Sequence, residues 1–90
     1  IEVASIEELK ELERTPPWRI MLDNFTPEMV AQALGELERW DRRPEIEISG
    51  GITLESIRLY AIEGIDFISI GSLTLSAPSV DMSMKIESVT

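Results

Sequence analysis

Four short stretches alternate apolar and polar residues with the two-residue period of a β-strand: Ile1–Ala4, Arg19–Asp23, Glu45–Ser49 and Asp66–Gly71. Helical spacing fills the intervals. Ser5, with Glu8 three residues on, forms a capping box ahead of Leu9 and Leu12, and Thr15-Pro16-Pro17 ends that helix. Thr26 suits the N-cap of a second helix, with Pro27 in its first position and Glu28 in its first turn. Its apolar residues Val30, Ala33, Leu34 and Leu37 then fall on one face. A third helix is predicted from Thr53, with Leu54, Ile57 and Ala61 on one side and Gly64 as its stop.

Repeated strand–helix–strand units predict a parallel sheet, and strand parity chooses between the two common forms. Ile1/Val3, Ile20/Leu22, Ile46/Ile48 and Ile68/Ile70 give one apolar face, suited to packing under helices. Glu2, Asp23, Glu47, Ser49, Ser69 and Gly71 occupy the opposite face. A doubly wound sheet, helix-covered on both sides, would be apolar on both. A barrel with a working interior tolerates inward acids. The expected fold is therefore α/β, part of a parallel (β/α) barrel of TIM type with about four βα units. Glu2, Asp23, Ser49 and Gly71 recur at similar chain intervals and are expected at comparable places on neighbouring strands.

Ninety residues make one domain at most, and the chain opens inside a strand without an initiator Met, as a piece of something longer would. The absence of cysteine excludes disulfides and cysteine-based zinc sites, and fits a cytoplasmic protein. No apolar run approaches the roughly 20 residues of a membrane span. The net charge of −9, from 17 acids against 8 bases, argues against nucleic-acid binding. It also means that anionic substrates need a positive field from a metal or from another part of the protein.

Ser49-Gly50-Gly51-Ile52-Thr53 leads from a strand into the expected helix start, where glycines and amide groups suit an anion. Gly71-Ser72 leads into a second polar turn, Thr74–Ser76. Glycines also make ordinary tight turns; two such loops on adjacent strands favour phosphate. Glu2, Asp23 and Glu47 would face one lumen, where like charges require raised pKa values, basic partners or a divalent cation. Mg²⁺, which takes one or two carboxylates plus substrate oxygens, suits a phosphorylated sugar. Solvated strand mouths would also accommodate these acids, Glu47 especially. Trp18 and Trp40 read as helix–strand packing, Met21, Met29, Met82 and Met84 as core filler, and Glu36, Glu38, Arg39, Asp41, Arg42 and Arg43 as a solvated helix end and loop. With no histidine, a Ser/His/Asp triad within this chain is impossible.

Three motifs together resemble the decarboxylating quinolinate phosphoribosyltransferases. Ile20-Met21-Leu22-Asp23-Asn24-Phe25-Thr26-Pro27-Glu28 is similar to that family's Leu-Asp-Asn-Phe signature, and Ser49-Gly50-Gly51-Ile52-Thr53-Leu54 to its phosphate loop. Gly71-Ser72-Leu73-Thr74, Ser76-Ala77-Pro78, Asp81 and Lys85 resemble its closing segment, in the same order over essentially the whole chain. Leu75 departs from the polar residue many relatives carry, and Thr15-Pro16-Pro17-Trp18 from their Gly-Ala-Asp type of turn.

The resemblance implies transfer of a phosphoribosyl group from phosphoribosyl pyrophosphate to quinolinate, with decarboxylation to nicotinate mononucleotide and Mg²⁺ assisting. It implies catalytic and metal-binding roles for Glu2 and Asp23 near the ribose, and Ser49, Gly50, Gly51, Gly71 and Ser72 around the 5′-phosphate; strand parity alone adds Glu47 as a further lumen acid. It also implies a homodimer or higher homo-oligomer whose quinolinate-gripping Arg, Lys and His residues come from earlier sequence and a partner subunit. The chain would then be the C-terminal half of the catalytic barrel, inactive alone, with no nucleic-acid or membrane partner. Two alternatives stay open: a paralogue with another acceptor, and an inactive, self-associating half-barrel with unpaired strand edges.

Overall fold

The computed structural model describes residues 1–80 of the chain; Asp81, Met82, Met84 and Lys85 lie outside the described residues. The elements run β1 (Glu2–Val3), α1 (Ile6–Glu11), β2 (Arg19–Asp23), α2 (Pro27–Leu37), β3 (Glu45–Ser49), α3 (Ile57–Tyr60), β4 (Phe67–Ile70) and β5 (Leu73–Ser76), followed by a 3₁₀ turn at Ala77–Ser79. One five-stranded sheet has the spatial order β1-β2-β3-β4-β5, parallel from β1 to β4. Strands that neighbour each other in simple chain order give a barrel segment; a doubly wound sheet reverses order at its switch point. The α/β barrel-segment expectation is met.

Both early helices begin where local chemistry directs. The Ser5 Oγ accepts from the Glu8 amide at 3.1 Å, and Glu8 Oε1 accepts from the Ala4 amide at 2.6 Å. At α2, Thr26 Oγ1 accepts from the Met29 amide at 3.2 Å. The buried stripe Val30, Ala33 and Leu37 then packs on the sheet's apolar face. That face is the core: Val3, Ile20, Leu22, Ile46, Ile48 and Ile68 are buried under Leu9, Phe25, Trp40, Ile52 and Ile57. Ile1 is exposed and Ile70 only half-buried, so the stripe fades at its two outer positions.

Several expectations need correction. The third helix does not run from Thr53: α3 has only four residues. The Thr53 cap is present, but the bonds around it close over three residues, with the Ser56 amide on the Thr53 carbonyl and the Leu59 amide on the Ser56 carbonyl. That makes tight turns before a short helix, and of Leu54, Ile57 and Ala61 only Ile57 is buried. Thr74–Ser76 is not a turn; it belongs to β5, antiparallel to β4 with Ile68 opposite Leu75 and Ser69 opposite Thr74. β4 is thereby paired on its far side and the sheet's edge moves to β5, where Leu75 is half-buried against the core.

Trp40 is in the core as expected, but Trp18 is 84% exposed, with the Arg42 guanidinium 5.2 Å from its ring centre. Pro16 and Pro17 deliver it before β2 starts, beyond the helices' cover. Glu36, expected in solvent, is buried on α2 and paired with Arg39 one turn later.

Fully buried Leu22 sits in the central strand pair, whereas neighbouring Met21, expected as core filler, instead faces the polar side and is half-buried. Leu22→Ala should cost about 2–5 kcal/mol in equilibrium urea unfolding, and Met21→Ala clearly less. Equal losses would contradict the two-faced sheet.

Candidate functional site

The polar face of the sheet is built by alternation: whatever buries Ile20, Leu22, Ile46 and Ile48 turns Arg19, Met21, Asp23, Glu45, Glu47 and Ser49 the other way. Asp23 is level with Ser49, at the C-terminal ends of adjacent parallel strands. Glu2 is level with Met21, not Asp23, so the two carboxylates stand one pleat apart along the sheet. The anchors are therefore staggered, contrary to the expectation of comparable heights. Stagger between neighbouring strands is what closing a sheet into a barrel requires.

Beyond Asp23 the chain turns sharply. Asn24 adopts the left-handed region with φ 58°, and its amide donates to the Ser49 carbonyl at 3.0 Å. Gly50 and Gly51 both have positive φ, 92° and 71°. A Cβ on Gly50 would lie 2.6 Å from Asn24 Oδ1 and 2.9 Å from its backbone nitrogen, so glycine is required there by close approach as well as by φ. The β2 and β3 exits are thus locked together, with Asp23 held beside the glycine loop. Asn24 was part of the signature but not a candidate in its own right; its tolerance of left-handed backbone was the signal for this structural role.

Gly51 and Gly71 differ from Gly50 in having open space above them. A Cβ on Gly51 would meet only Asn24 Oδ1, at 3.9 Å, and one on Gly71 would meet nothing within 4 Å. Gly71 and Ser72 form the two-residue connection of the β4–β5 hairpin. Gly71 has φ 58° and Ser72 is not among the positive-φ residues, the type II′ pattern. The turn therefore needs this glycine whatever binds near it. The amides of Gly50 and Gly51 make no hydrogen bond among the described residues. The Thr53 amide, by contrast, is taken by Ser56 Oγ at 3.0 Å, so that one donor at the expected helix start is turned away from the loop.

Of the lumen acids, Glu47 has found protein partners. It is 6% exposed; Oε1 accepts from Arg19 Nη1 at 3.4 Å and Oε2 from the Ser69 hydroxyl at 2.8 Å. Arg19 also pairs with Glu45 at 3.2 Å and lies 4.2 Å from the Phe67 ring centre. Pairing with a base is thus how Glu47 is accommodated, and Arg19 is the base that strand parity carries onto this face. Glu2 and Asp23 make no ion pair among the described residues. Asp23 Oδ2 has only a long contact from Asn24 Nδ2 at 3.5 Å. Glu2 borders a shallow depression of about 200 Å³ with Ile1, Arg19 and Met21.

No group of three or more acids is gathered to hold a metal among the described residues. Two open carboxylates, one half-buried and one exposed, nevertheless offer the hard oxygen donors that Mg²⁺ takes when substrate oxygens complete its shell. A larger groove of about 610 Å³, lined by Lys10, Gln32, Glu36 and Arg39 among others, lies between α1 and α2 on the helical side, away from these groups.

The family described as "Quinolinate phosphoribosyl transferase, C-terminal domain" matches residues 1–85. The chain belongs to this family. It is 43% identical over 90 residues to a probable nicotinate-nucleotide pyrophosphorylase [carboxylating] of Methanocaldococcus jannaschii, covering 96% of this chain and 32% of that protein. The probable enzyme of the same name from Archaeoglobus fulgidus is 49% identical over 69 residues, covering 74% of this chain and 27% of its own. The Rattus norvegicus nicotinate-nucleotide pyrophosphorylase [carboxylating] is 34% identical over 86 residues, covering 96% and 29%. The chain thus spans about a third or less of the length of these relatives. The quinolinate phosphoribosyltransferase resemblance read from the three motifs is met, and with it the barrel-segment fold.

The two glycine environments give different expected costs. Gly50→Ala should destabilise by more than about 1 kcal/mol because it combines positive φ with a collision on Asn24. Gly71→Ala meets only the backbone penalty and should cost less. Thermal or urea unfolding of the two variants checks the ordering, and the reverse order would contradict the clamp.

Proposed function

We propose that this chain supplies the phosphoribosyl side of a quinolinate phosphoribosyltransferase site. Support comes foremost from one juxtaposition: half-buried Asp23 level with Ser49, tied through Asn24 to a Gly50–Gly51 loop whose amides are unengaged. Membership of the family and the names of its relatives supply the reaction class.

In this reading the 5′-phosphate rests on backbone amides of Gly50 and Gly51, with Gly71 leaving room for close approach and Ser49 and Ser72 alongside. The quinolinate nitrogen displaces pyrophosphate at the ribose anomeric carbon, and positive charge develops on the sugar as that bond breaks. Asp23 and Glu2 would be the carboxylates that stabilise it. The pyridinium so formed accepts the electron pair of the breaking carbon–carboxylate bond; CO₂ leaves and a proton replaces it on the ring. Mg²⁺, when bound, would neutralise charge on the departing pyrophosphate, with Asp23 and Glu2 as its protein oxygens. Glu47, with both oxygens engaged, is better suited to organising the face than to meeting the metal.

A cytoplasmic homo-oligomer, with the cationic grip on quinolinate drawn from sequence outside this chain, belongs to the same reading. The charge of −9 favours it, since a site for a dicarboxylate and a pyrophosphate needs cations that these residues do not supply. A family paralogue with another acceptor would use the same ribose side, and acceptor specificity separates the two.

In the full-length protein, Asp23→Asn should lower kcat by about 10²–10³-fold at saturating Mg²⁺, measured as quinolinate-dependent CO₂ release. Glu2→Gln should follow in the same direction. Normal turnover in both variants would overturn the carboxylate roles. The 90-residue chain alone should release no CO₂ from quinolinate, and measurable turnover would show that the acceptor pocket lies within it.

A further inference from the structure

Four strands of the polar face are joined by one continuous line of side-chain bonds. Arg19 on β2 donates to Glu47 Oε1 on β3 at 3.4 Å; Ser69 on β4 is 2.8 Å from Glu47 Oε2; Thr74 on β5 is 3.0 Å from the Ser69 hydroxyl. The direction of the line follows from proton inventory. An ionised carboxylate only accepts, so the single Ser69 hydroxyl proton goes to Glu47. Ser69 can then serve Thr74 only as an acceptor, and the Thr74 hydroxyl must donate. A buried carboxylate at one end orients both hydroxyls, each bond polarising the next.

Ser69 and Thr74 form a directly opposed pair of the β4–β5 hairpin, and the next pair, Ile70 with Leu73, closes on the Gly71–Ser72 turn. The turn is exposed, and so are Leu73 and Thr74, so little apolar packing holds it in place. The β4–β5 ladder shapes the turn, and the side-chain bonds add a tie from the hairpin to the central strand. We propose that Glu47 is a positioning residue: through Ser69 and Thr74 it holds the Gly71–Ser72 turn at a fixed height beside the Gly50–Gly51 loop, and so sets the width of the phosphate cradle. Arg19 pairs with the Glu47 carboxylate from the neighbouring strand, with its own guanidinium lying over the Phe67 ring. Glu47 therefore touches neither the sugar nor the metal in this arrangement. The proposal rests on the phosphoribosyl reading of the glycine loops for its kinetic consequence, but not for its structural one.

The test uses the full-length protein and two readouts. Ser69→Ala and Thr74→Val break the line without altering charge, and Glu47→Gln keeps an oxygen for the Ser69 hydroxyl while losing the carboxylate. Ser69→Ala should raise KM for phosphoribosyl pyrophosphate about five- to tenfold, as expected for a lost part-buried hydrogen bond, with kcat and quinolinate KM within about twofold. Thr74→Val should act in the same direction, and Glu47→Gln should lie nearer the parent than Glu47→Leu. Amide hydrogen exchange at Gly71–Leu73 should quicken in the same order, while exchange within β2 stays as in the parent. Unchanged exchange in Ser69→Ala and Thr74→Val would overturn the positioning role, as would a fall in kcat without a KM change in Glu47→Gln. Gly51→Val separates the two ideas: if it leaves the phosphoribosyl pyrophosphate KM unchanged, the phosphate reading fails, and hydrogen exchange still decides whether Glu47 positions the turn.

Discussion

Everything on the polar face depends on the pairing of β2 with β3 in one register, over all five residues of each strand. Ile20, Leu22, Ile46 and Ile48 are removed from water together, and a slip of one residue would turn all four outward. Burying a side chain of this size is worth about 1.5–3 kcal/mol, so a slipped register would forfeit several such terms at once. The same constraint that builds the core therefore chooses the side on which Asp23, Glu47 and Ser49 appear. No separate device is needed to aim them. Asp23 reaches the strand exit because β2 ends there, and it ends there because Asn24 can adopt φ 58° and clamp to the Ser49 carbonyl.

Acids delivered to one face by a packing rule then have to be accommodated individually. Glu47 sits deepest, in the central strand of the sheet, and leaving a carboxylate there unpaired would cost far more than the pair returns. Arg19 and Ser69 meet that demand, one from each neighbouring strand. Glu2 and Asp23 lie on or beside the more open parts of the face and have no basic partner among the described residues. The three expected lumen acids thus fall into two classes: Glu47 is engaged internally, as is Glu45 through Arg19, while Glu2 and Asp23 have no basic partner among the described residues. Sequence pattern alone treats the three as equivalent, and burial is what separates them.

The legible parts were those set by local chemistry. β2 and β3 ended at the expected residues because their alternation is strict and polar turn residues follow each. α1 and α2 began at Ser5 and Thr26 because capping needs only residues three apart. What escaped prediction was decided by partners distant in sequence or by hydrogen-bond geometry. Leu73–Ser76 alternates like a strand, but its polar residues resemble a turn until β4 is present to pair with it. Thr53 does cap as expected, yet Ser56 returns the bond and the backbone tightens into three-residue turns. Glu36 has the chemistry of a surface residue and is buried by the fit of α2 against its surroundings. In the site, the positions of Asp23 and the glycine loops were readable. The stagger of Glu2 and the engagement of Glu47 were not, because register and the Arg19 partnership exist only in the assembled sheet.

The antiparallel β5 alters the meaning of the chain's closing motif. In a purely parallel segment, Gly71-Ser72 would be a strand exit like Ser49-Gly50, open to wander with its loop. Here the II′ turn returns the backbone at once, and β5 secures the far side with its own ladder. A tight turn and a clamped loop then stand at the exits of adjacent strands. They are held by different contacts: Gly50 packs closely on Asn24, and the Ser69–Thr74 side-chain pair lies one residue pair below the Gly71–Ser72 turn. Backbone amides can serve an anion well only if their spacing is settled before it arrives, since ordering a loose loop on binding would consume part of the affinity. Positive charge adds attraction, but it does not define a shape. For a chain with 17 acids and 8 bases, the phosphate cradle proposed above would rest on preorganised backbone more than on charge, with long-range attraction drawn from other sequence.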